Sequence, residues 1–474
     1  MSGKTAILWF RQDLRLRDNP ALIHAVRNNY NILPLFILDD SNPGQWKRGA
    51  ASRWWLHKSL NCLNQSLENK MLFRSGNPLE ILLELIETTK AAAIFWNRCY
   101  EPWRNARDKA LKETLKTLNI DAQSFNASLL WEPWEVKKSD GTPYKVFTPY
   151  FRKGCLSLPD PKRPENAPTQ IRVIEPRTKT KLDDLDLMPE IPWYSKMAQV
   201  WTPGEAGAQK RLEIFLESGL KDYKEGRNRP DREKFSRLSP HLHFGEISPR
   251  QVWHDARAAG IAQQLEADTD HFCSELGWRE FSYSLLHYSD NLPEKPLQAK
   301  FSAFPWQNDP QNLEAWQKGR TGIPIVDAGM RQLWQTGWMH NRVRMITASL
   351  LIKNMRIDWR EGERWFWDCL VDADLANNAA SWQWVAGCGA DAAPYFRIFN
   401  PVTQGKKFDP EGVYVRTYVP EISNLPNNHI HNPWQAPDNI LTAANVTLGQ
   451  TYPHPLVNLV ASREKALEAF AAIK

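Results

Sequence analysis

The first third of the chain alternates continuous apolar runs with stretches of helical periodicity. Such runs are typical of buried parallel strands, because both faces of these strands are covered. The runs span residues 6–10, 32–38 and 92–96, and the helical patterns span residues 52–67, 78–89 and 106–118. This alternation predicts a doubly wound α/β domain built on a parallel sheet.

A proline-rich stretch separates this region from the rest of the chain. Eight prolines lie among charged residues between Leu158 and Pro203, which predicts an extended connector. Beyond it, helical periodicity dominates and strand patterns are scarce. We therefore predict an α/β domain over residues 1–130, a connector over residues 131–203 and a larger all-α domain over residues 204–474.

The turn after the first apolar run lacks the glycines of a dinucleotide-binding loop. Residues 11–15 read Arg-Gln-Asp-Leu-Arg, without a Gly-x-Gly-x-x-Gly pattern. The sequence therefore argues against an ordinary NAD-dependent dehydrogenase.

Composition says more about the compartment than about the chemistry. A formal net charge of +6 over 474 residues is only a weak indication of an anionic partner. The six cysteines form no Cys-x-x-Cys pair and no zinc-like pattern with histidine, so we expect reduced thiols and no metal. No signal peptide or membrane-spanning apolar run is evident. These features predict a soluble cytoplasmic protein.

Residues 372–384 are the most informative segment, because they combine two acids, an amide and two tryptophans. This set fits on about three helical turns and suits an aromatic redox cofactor better than a hydrolytic site. Asn378 and Trp382 share one helix face, whereas Trp384 points elsewhere. One tryptophan can then face a buried cofactor while the other lines a neighbouring pocket.

Residues 236–240 contain a helix-start signal. Ser239 precedes Pro240, which predicts Ser239 as an N-cap and Pro240 as the first helical residue. The free N–H groups of a helix start suit a pyrophosphate. A plain helix cap without a ligand fits the same pattern.

Several stretches resemble the family of DNA photolyases and cryptochromes, in the family's order and over essentially the whole chain. They are residues 9–15 with 18–22, 236–240, 275–281, 337–345 and 372–384. The resemblance implies an α/β antenna domain, an FAD-binding helical domain and light-dependent chemistry on UV-damaged DNA.

The resemblance also implies a flavin site. Asn378 matches the residue beside flavin N5, where plant cryptochromes tend to carry an acid and animal ones a cysteine, so this chain follows the photolyases. Arg344 resembles the arginine that pairs with Asp372. Phe235 stands where the family often has threonine, which removes one hydrogen bond to phosphate. The implied cofactor-binding residues are Tyr223, Phe235, Ser236, Arg237, Leu238, Ser239, Arg344, Asp372, Asp374 and Asn378.

Trp382, Trp359 and Trp306 match the family's tryptophan relay between the flavin and the surface. An indole suits this task because its large π-system can be oxidised transiently inside an apolar core. With 22 tryptophans in the chain, any single one is more often core filler. The prediction of a relay therefore depends on all three tryptophans matching the relay positions of the family.

A lesion pocket is implied next to the flavin. Glu275, Trp278 and Arg279 share one helix face and could receive a flipped-out pyrimidine dimer. Asn341 and Met345 stand where relatives that repair (6-4) photoproducts carry histidines, which favours a cyclobutane substrate. Glu275, Asn341 and Asn378, with the relay, are the implied catalytic residues. The implied substrate- and DNA-binding residues are Arg227, Glu275, Trp278, Arg279, Asn341, Arg342, Met345, Trp384, Arg397 and Gln404.

A second chromophore is predicted at residues 97–103, which follow an apolar run in the position where α/β folds bind ligands. Family members hold an antenna there, so we expect methenyltetrahydrofolate or an 8-hydroxy-deazaflavin. Pro102 and Trp103 depart from the best-known folate pattern. A simple strand-to-helix loop fits the same residues.

We therefore predict a light-dependent enzyme that splits cyclobutane pyrimidine dimers with photoexcited reduced FAD. It is expected to act as a monomer in the cytoplasm, associated with the nucleoid if the source is bacterial. A cryptochrome photoreceptor is the alternative of another class, although this chain stops soon after its last helical pattern. A (6-4) photolyase is the alternative within the family.

Overall fold

The computed structural model describes residues 3–176, 180–392 and 396–473. Its first part contains a parallel sheet in the order β3-β2-β1-β4-β5. The strands are β1 Thr5–Phe10, β2 Asn31–Leu38, β3 Leu72–Ser75, β4 Ala93–Asn97 and β5 Asp121–Phe125. The doubly wound parallel sheet is confirmed, and the three predicted strands agree with β1, β2 and β4 to within one residue.

Helices cover both faces of the sheet, because alternate side chains of β1 enter two separate apolar clusters. These helices are α1 Pro20–Arg27, α2 Ala50–Ser66, α3 Pro78–Thr89 and α4 Pro102–Thr117. The helices predicted at 52–67 and 78–89 are confirmed. The third begins at Pro102 rather than at residue 106, since proline is well suited to the first turn.

The proline-rich stretch packs against the first domain. Ile174 donates a backbone hydrogen bond of 2.9 Å to Ile32, and Ile32 donates one of 2.8 Å to Arg172. The stretch between the sheet and this contact also contains a short helix, α5 Phe147–Pro149, and a π-helical turn at Tyr150–Gly154. A second short helix, α6 Ser195–Val200, lies further along.

The remaining chain is helical, as predicted. Its helices are α7 Glu205–Ile214, α8 Tyr223–Gly226, α9 Ser239–His243, α10 Pro249–Gln263, α11 Glu266–Tyr288, α12 Pro310–Gln317, α13 Pro324–Thr336, α14 Asn341–Ser349, α15 Trp359–Cys369, α16 Leu375–Ala386, α17 Pro401–Phe408, α18 Val413–Tyr418, α19 Asp438–Ala443 and α20 Leu459–Ala471. None of the described helices is long and apolar enough to cross a bilayer. All six cysteines are free, and all but Cys62 are buried.

The α/β part is joined closely to the helical part around α9. A Cβ atom on Gly245, whose φ is +66°, would lie 2.1 Å from the carbonyl oxygen of Gln12, so the close approach requires glycine. The buried Glu246 accepts hydrogen bonds from Trp55 Nε1 at 2.9 Å and from the Gly204 N–H at 2.7 Å. These contacts fix α9 relative to the sheet.

Candidate active site

A cavity of about 530 Å³ opens between α8, α9, α11, α14 and α16. Most of the predicted site residues line it. They are Tyr223, Arg227, Ser236, Leu238, Ser239, Glu275, Trp278, Arg279, Asn341, Arg342, Arg344, Met345, Asp372, Asp374, Asn378, Trp382 and Trp384. The predicted site residues outside its lining are Phe235, Arg237, Trp306, Trp359, Arg397 and Gln404. The fold therefore places residues that are far apart in sequence around one cavity.

Asp372 is held from two sides. The Ser239 hydroxyl donates a 2.6 Å hydrogen bond to Asp372 Oδ2, and Arg344 Nη2 lies 2.9 Å from the same oxygen. The predicted N-cap role of Ser239 is wrong, because α9 begins at Ser239 itself and Leu238 occupies the cap. The Ser239 hydroxyl donates to Asp372, and α9 has no side-chain cap hydrogen bond. The result is a fixed carboxylate with a cation beside it.

Asp374 begins α16 as its N-cap, accepting a 2.9 Å hydrogen bond from the Asn377 N–H. Its other oxygen accepts a 2.5 Å bond from the Tyr283 hydroxyl and lies 3.4 Å from His243 Nδ1. Burial would raise the pKa of Asp374, but His243, Arg279 and Tyr283 outweigh it and lower that pKa to about 2. Asp374 is therefore a buried carboxylate that stays ionised.

Asn378 is oriented by the neighbouring helix. Its Nδ2 donates a 3.0 Å hydrogen bond to the main-chain carbonyl of Glu363 on α15. Because Nδ2 is engaged there and Asn378 lines the cavity, Oδ1 is the end of the amide that remains for a ligand. The site thus offers a neutral hydrogen-bond acceptor one helical turn from Trp382.

Trp382 connects the cavity to α15. A Cβ atom on Gly362 would lie 2.1 Å from the Trp382 ring, so glycine allows the indole to pack directly on the α15 backbone. Trp359, which is 1% exposed, begins this helix. Trp306 is half-buried, and Gln307 beside it donates a 2.7 Å backbone hydrogen bond to Arg356, just before α15. Trp359 and Trp382 belong to one apolar cluster, and Trp306 packs against that cluster.

Glu275 and Arg227 form a bidentate ion pair at the cavity wall, with the Arg227 Nη2 atom 2.6 Å from Glu275 Oε2. Burial raises the pKa of Glu275 above its usual value, although the charge and hydrogen bonds of Arg227 oppose this. Both side chains keep partial exposure, at 28% for Glu275 and 16% for Arg227. The carboxylate can therefore exchange this partner for a ligand group.

Two tryptophan side chains from different helices contribute to the cavity lining. Trp278 on α11 and Trp384 on α16 are both half-buried. Each tryptophan ring contacts a side chain that does not line the cavity. Phe147 stacks on Trp278 with ring centroids 3.8 Å apart, and the Arg397 guanidinium lies 5.5 Å from the Trp384 ring centre. Sequence reasoning missed Phe147, because it lies in the predicted connector outside the recognised motifs.

Asn341, Met345 and Arg342 lie on α14, and all three line the cavity as predicted. Arg342 donates to Asn228 Oδ1 and lies 4.6 Å from the ring centre of Phe408, at the end of α17. The neighbouring His340 is buried, and its burial together with the charge of Arg227 lowers its pKa to about 3. His340 is therefore a neutral helix cap that accepts from the Arg342 N–H.

Other predicted residues have internal partners. Arg279 lines the cavity, but its Nη1 donates a 2.6 Å hydrogen bond to the Ser128 carbonyl of the first domain. Phe235 stacks on Trp338, and the Arg237 guanidinium lies 5.4 Å from that ring centre. Gln404 lies on α17, half-buried.

A second, smaller cleft lies at the carboxyl ends of β1 and β2. Glu101 and Trp103, from the predicted antenna segment, line it together with Arg104, Trp46 and Arg48. Burial lowers the pKa of Arg48 to about 10. Trp46 and Arg48 were missed because they lie in a loop without a recognisable pattern.

Comparisons with known proteins agree with this architecture. The family model of DNA photolyase matches residues 6–169, and that of the FAD binding domain of DNA photolyase matches residues 272–472. A deoxyribodipyrimidine photo-lyase of Agrobacterium fabrum is 47% identical, covering 100% of this chain and 99% of its own length. Cryptochrome-1 of Arabidopsis thaliana is 39% identical, covering 99% of this chain and 70% of its own length.

A bacterial class III photolyase from Agrobacterium tumefaciens, known from its crystal structure, superposes with a TM-score of 0.95. The two chains are 46% identical, and the match covers 100% of this chain and 98% of the other. The chain therefore belongs to the DNA photolyase family and is a flavoprotein enzyme of the deoxyribodipyrimidine photo-lyase type.

Proposed function

We propose that this protein splits cyclobutane pyrimidine dimers in UV-damaged DNA by light-driven electron transfer. The observation that carries the proposal is the single cavity, in which the Asp372–Arg344 pair and Asn378 share one space with Glu275 and Trp384. A redox cofactor and a base-sized ligand could then meet without solvent between them.

The residues present fit FAD. The cavity has the size of a cofactor site, and its lining combines apolar side chains with the fixed Asp372–Arg344 pair and the oriented amide of Asn378. Reduced FAD bound here would supply the light-excited electron that opens the dimer's ring, and the electron would return to it afterwards. The residues proposed to hold it are Tyr223, Ser236, Leu238, Ser239, Arg344, Asp372, Asp374 and Asn378.

Around this cofactor the chain's own residues have distinct tasks. Asp372 and Arg344 hold a balanced charge pair, and Asn378 presents Oδ1 as an acceptor without adding charge. Trp382, Trp359 and Trp306 are proposed to conduct electrons from the surface when the cofactor must first be reduced. Glu275 is proposed to leave Arg227 and bond the bases of the dimer, between the rings of Trp278 and Trp384.

Several basic or polar residues are proposed to hold the DNA backbone around the flipped-out dimer. Arg227, Arg342 and Arg397 lie at or beside the cavity lining, and Gln404 lies on the same helix as the exposed Lys406 and Lys407. Contacts of this kind add affinity without reading base sequence. The protein is proposed to act on DNA as a monomer in the cytoplasm.

A cyclobutane substrate is favoured over a (6-4) photoproduct by the groups on α14. Asn341 and Met345 cannot transfer protons, and His340 is neutral, with its Nδ1 engaged by the Arg342 N–H. Splitting a cyclobutane ring needs electron transfer but no proton transfer by a histidine. The α14 side of the cavity is therefore suited to the simpler reaction.

A photoreceptor function is the second candidate, because relatives of this chain include a plant cryptochrome at 39% identity. Asn378 and the intact lesion residues favour repair. We also propose that the cleft of Trp46, Glu101 and Trp103 holds an antenna chromophore, since its rings could stack on a planar ligand.

A binding and repair assay on both photoproducts separates these candidates. Oligonucleotides that carry one cyclobutane dimer, one (6-4) photoproduct or no lesion would be incubated with the FAD-loaded, reduced protein and illuminated. We expect selective binding and repair of the cyclobutane dimer. Selective repair of the (6-4) lesion, or no repair of either lesion, would refute the proposal.

A further inference from the structure

Phe147 lies closer to the Trp278 ring than Phe281 does. The ring centroids of Phe147 and Trp278 are 3.8 Å apart and the ring planes differ by 11°. Trp278 lines the cavity and Phe147 does not, so Phe147 covers a face of the indole that is turned away from the ligand space. At 8% exposure, Phe147 is itself buried.

The stack continues away from the cavity and rests on α11. Phe151 is also stacked with Phe147, with ring centroids 5.7 Å apart and ring planes within 8°. A Cβ atom on Gly277 would lie 2.5 Å from the Phe151 ring, so that ring packs against the α11 backbone beside Trp278. The stack therefore begins and ends on the same helix, which leaves the Trp278 ring little freedom to tilt.

The carboxylate of Asp391 lies near the main chain of Phe147. Burial raises the pKa of Asp391, and the Phe147 main chain and the charge of Arg397 oppose that rise. Arg397 in turn lies over the Trp384 ring at 5.5 Å. Asp391 therefore connects the residues behind both aromatic walls of the cavity.

We propose that Phe147 is a positioning residue for lesion recognition, because it fixes the plane in which Trp278 meets a flipped-out pyrimidine. Stacking depends on the angle and offset between rings, so a freely tilting indole binds a base less well. The proposal rests on the dimer-splitting function proposed above. Through Phe147, the segment before the proline-rich stretch would contribute to the selection of the substrate.

A residue of the general core would behave differently. Its loss would lower the stability of the fold and would affect lesion-containing and undamaged DNA alike. A positioning residue should instead act on the difference between the two affinities, and another aromatic ring at the same place should restore that difference.

The test compares Phe147→Leu and Phe147→Tyr with the wild-type protein, all loaded with FAD. The dissociation constants for a dimer-containing and an undamaged oligonucleotide would be measured in the dark, with FAD content and the rate of flavin photoreduction. Phe73→Leu is the matched control, since Phe73 is also a buried phenylalanine (3% exposed) but lies on β3.

We expect Phe147→Leu to weaken dimer binding by about two- to tenfold, the range that an aromatic pair contributes. Affinity for undamaged DNA, FAD content and photoreduction should stay at wild-type values, and Phe147→Tyr should restore dimer binding. Unchanged dimer affinity in Phe147→Leu, an equal loss for both DNAs, or the same loss in Phe73→Leu would overturn the inference. If the wild-type protein itself failed to prefer the dimer, the proposed function would fall and this inference with it.

Discussion

The side-chain amide of Asn378 donates a 3.0 Å hydrogen bond to the main-chain carbonyl of Glu363. This bond ties α16 to α15 and settles which end of the amide is free, because only Nδ2 can donate to a carbonyl. Oδ1 is left to accept a hydrogen bond on the cavity side. A reduced flavin carries an N–H group at N5, so the orientation suits the reduced state.

Replacing Asn378 with aspartate should therefore disfavour the reduced cofactor. A carboxylate near an already anionic reduced ring adds repulsion, so the two-electron reduction potential should fall by about 30 mV or more. Redox titration of the FAD-loaded protein measures this. Asn378→Ser is the neutral control and should shift the potential less. Equal potentials in Asn378→Asp and the wild type would contradict the proposed place of Asn378.

The tryptophan relay predicts a separation of two activities. In Trp306→Phe, photoreduction of oxidised FAD should slow by about tenfold or more, because phenylalanine is much harder to oxidise. Repair by protein that has been reduced beforehand should remain at the wild-type rate. Transient absorption and a repair assay measure the two rates.

Trp253→Phe is the control for the relay, since Trp253 is as buried as Trp359 of the relay (each 1% exposed) but packs in the separate cluster around Trp131. It should leave photoreduction unchanged. A parallel loss of photoreduction and repair in Trp306→Phe would argue against the relay.

Glu275 should contribute to lesion binding and not to cofactor chemistry. Glu275→Gln should weaken binding of dimer-containing DNA by about ten- to a hundredfold, as expected when a hydrogen bond to a charged group is lost. Affinity for undamaged DNA should not fall, because Arg227 loses its ion-pair partner. Glu361→Gln, at the exposed pair with Arg364, is the control. Loss of FAD or of photoreduction in Glu275→Gln would contradict the assignment.

Asp374 predicts a pH dependence of stability. Its folded-state pKa of about 2 lies below the usual value of about 3.9. The ionised carboxylate therefore adds to the free energy of unfolding above about pH 4, and this stabilisation is lost as the pH falls through about 2. The difference in unfolding free energy between the wild type and Asp374→Asn should shrink by about 2 kcal/mol over that interval. Chemical denaturation at several pH values measures it.

The exposed Asp160 gives the control for that series. The pH dependence of Asp374→Asn is compared with that of Asp160→Asn, which also removes one carboxylate. A difference between Asp374→Asn and the wild type that stays constant from pH 5 to about pH 2 would refute the ionised, buried carboxylate.

The sequence was most informative where burial is continuous. Apolar runs predicted β1, β2 and β4, whereas β3 has only four residues and β5 is partly exposed along its length. Such edge strands need no continuous apolar run, because one side of each has no strand partner. The strand propensities of their residues do not make up for the absence of a continuous apolar run.

For the site, the motifs identified residues but not their partners. They led to Ser239 and Asp372, yet the 2.6 Å hydrogen bond between the two arises from tertiary contact. Phe147 had no motif, and its stacking on Trp278 depends on how the chain before the proline-rich stretch folds back onto α11. Long-range packing of this kind is not encoded in local periodicity.

The central claim is that one cavity brings a light-excited reduced flavin to a cyclobutane dimer. The most direct measurement is repair of an oligonucleotide with a single thymine dimer by purified, FAD-loaded, reduced protein, with identical samples kept in darkness or in blue light. The account predicts restored thymines in the illuminated sample only. Repair in darkness, or no repair in light with reduced FAD bound, would contradict it.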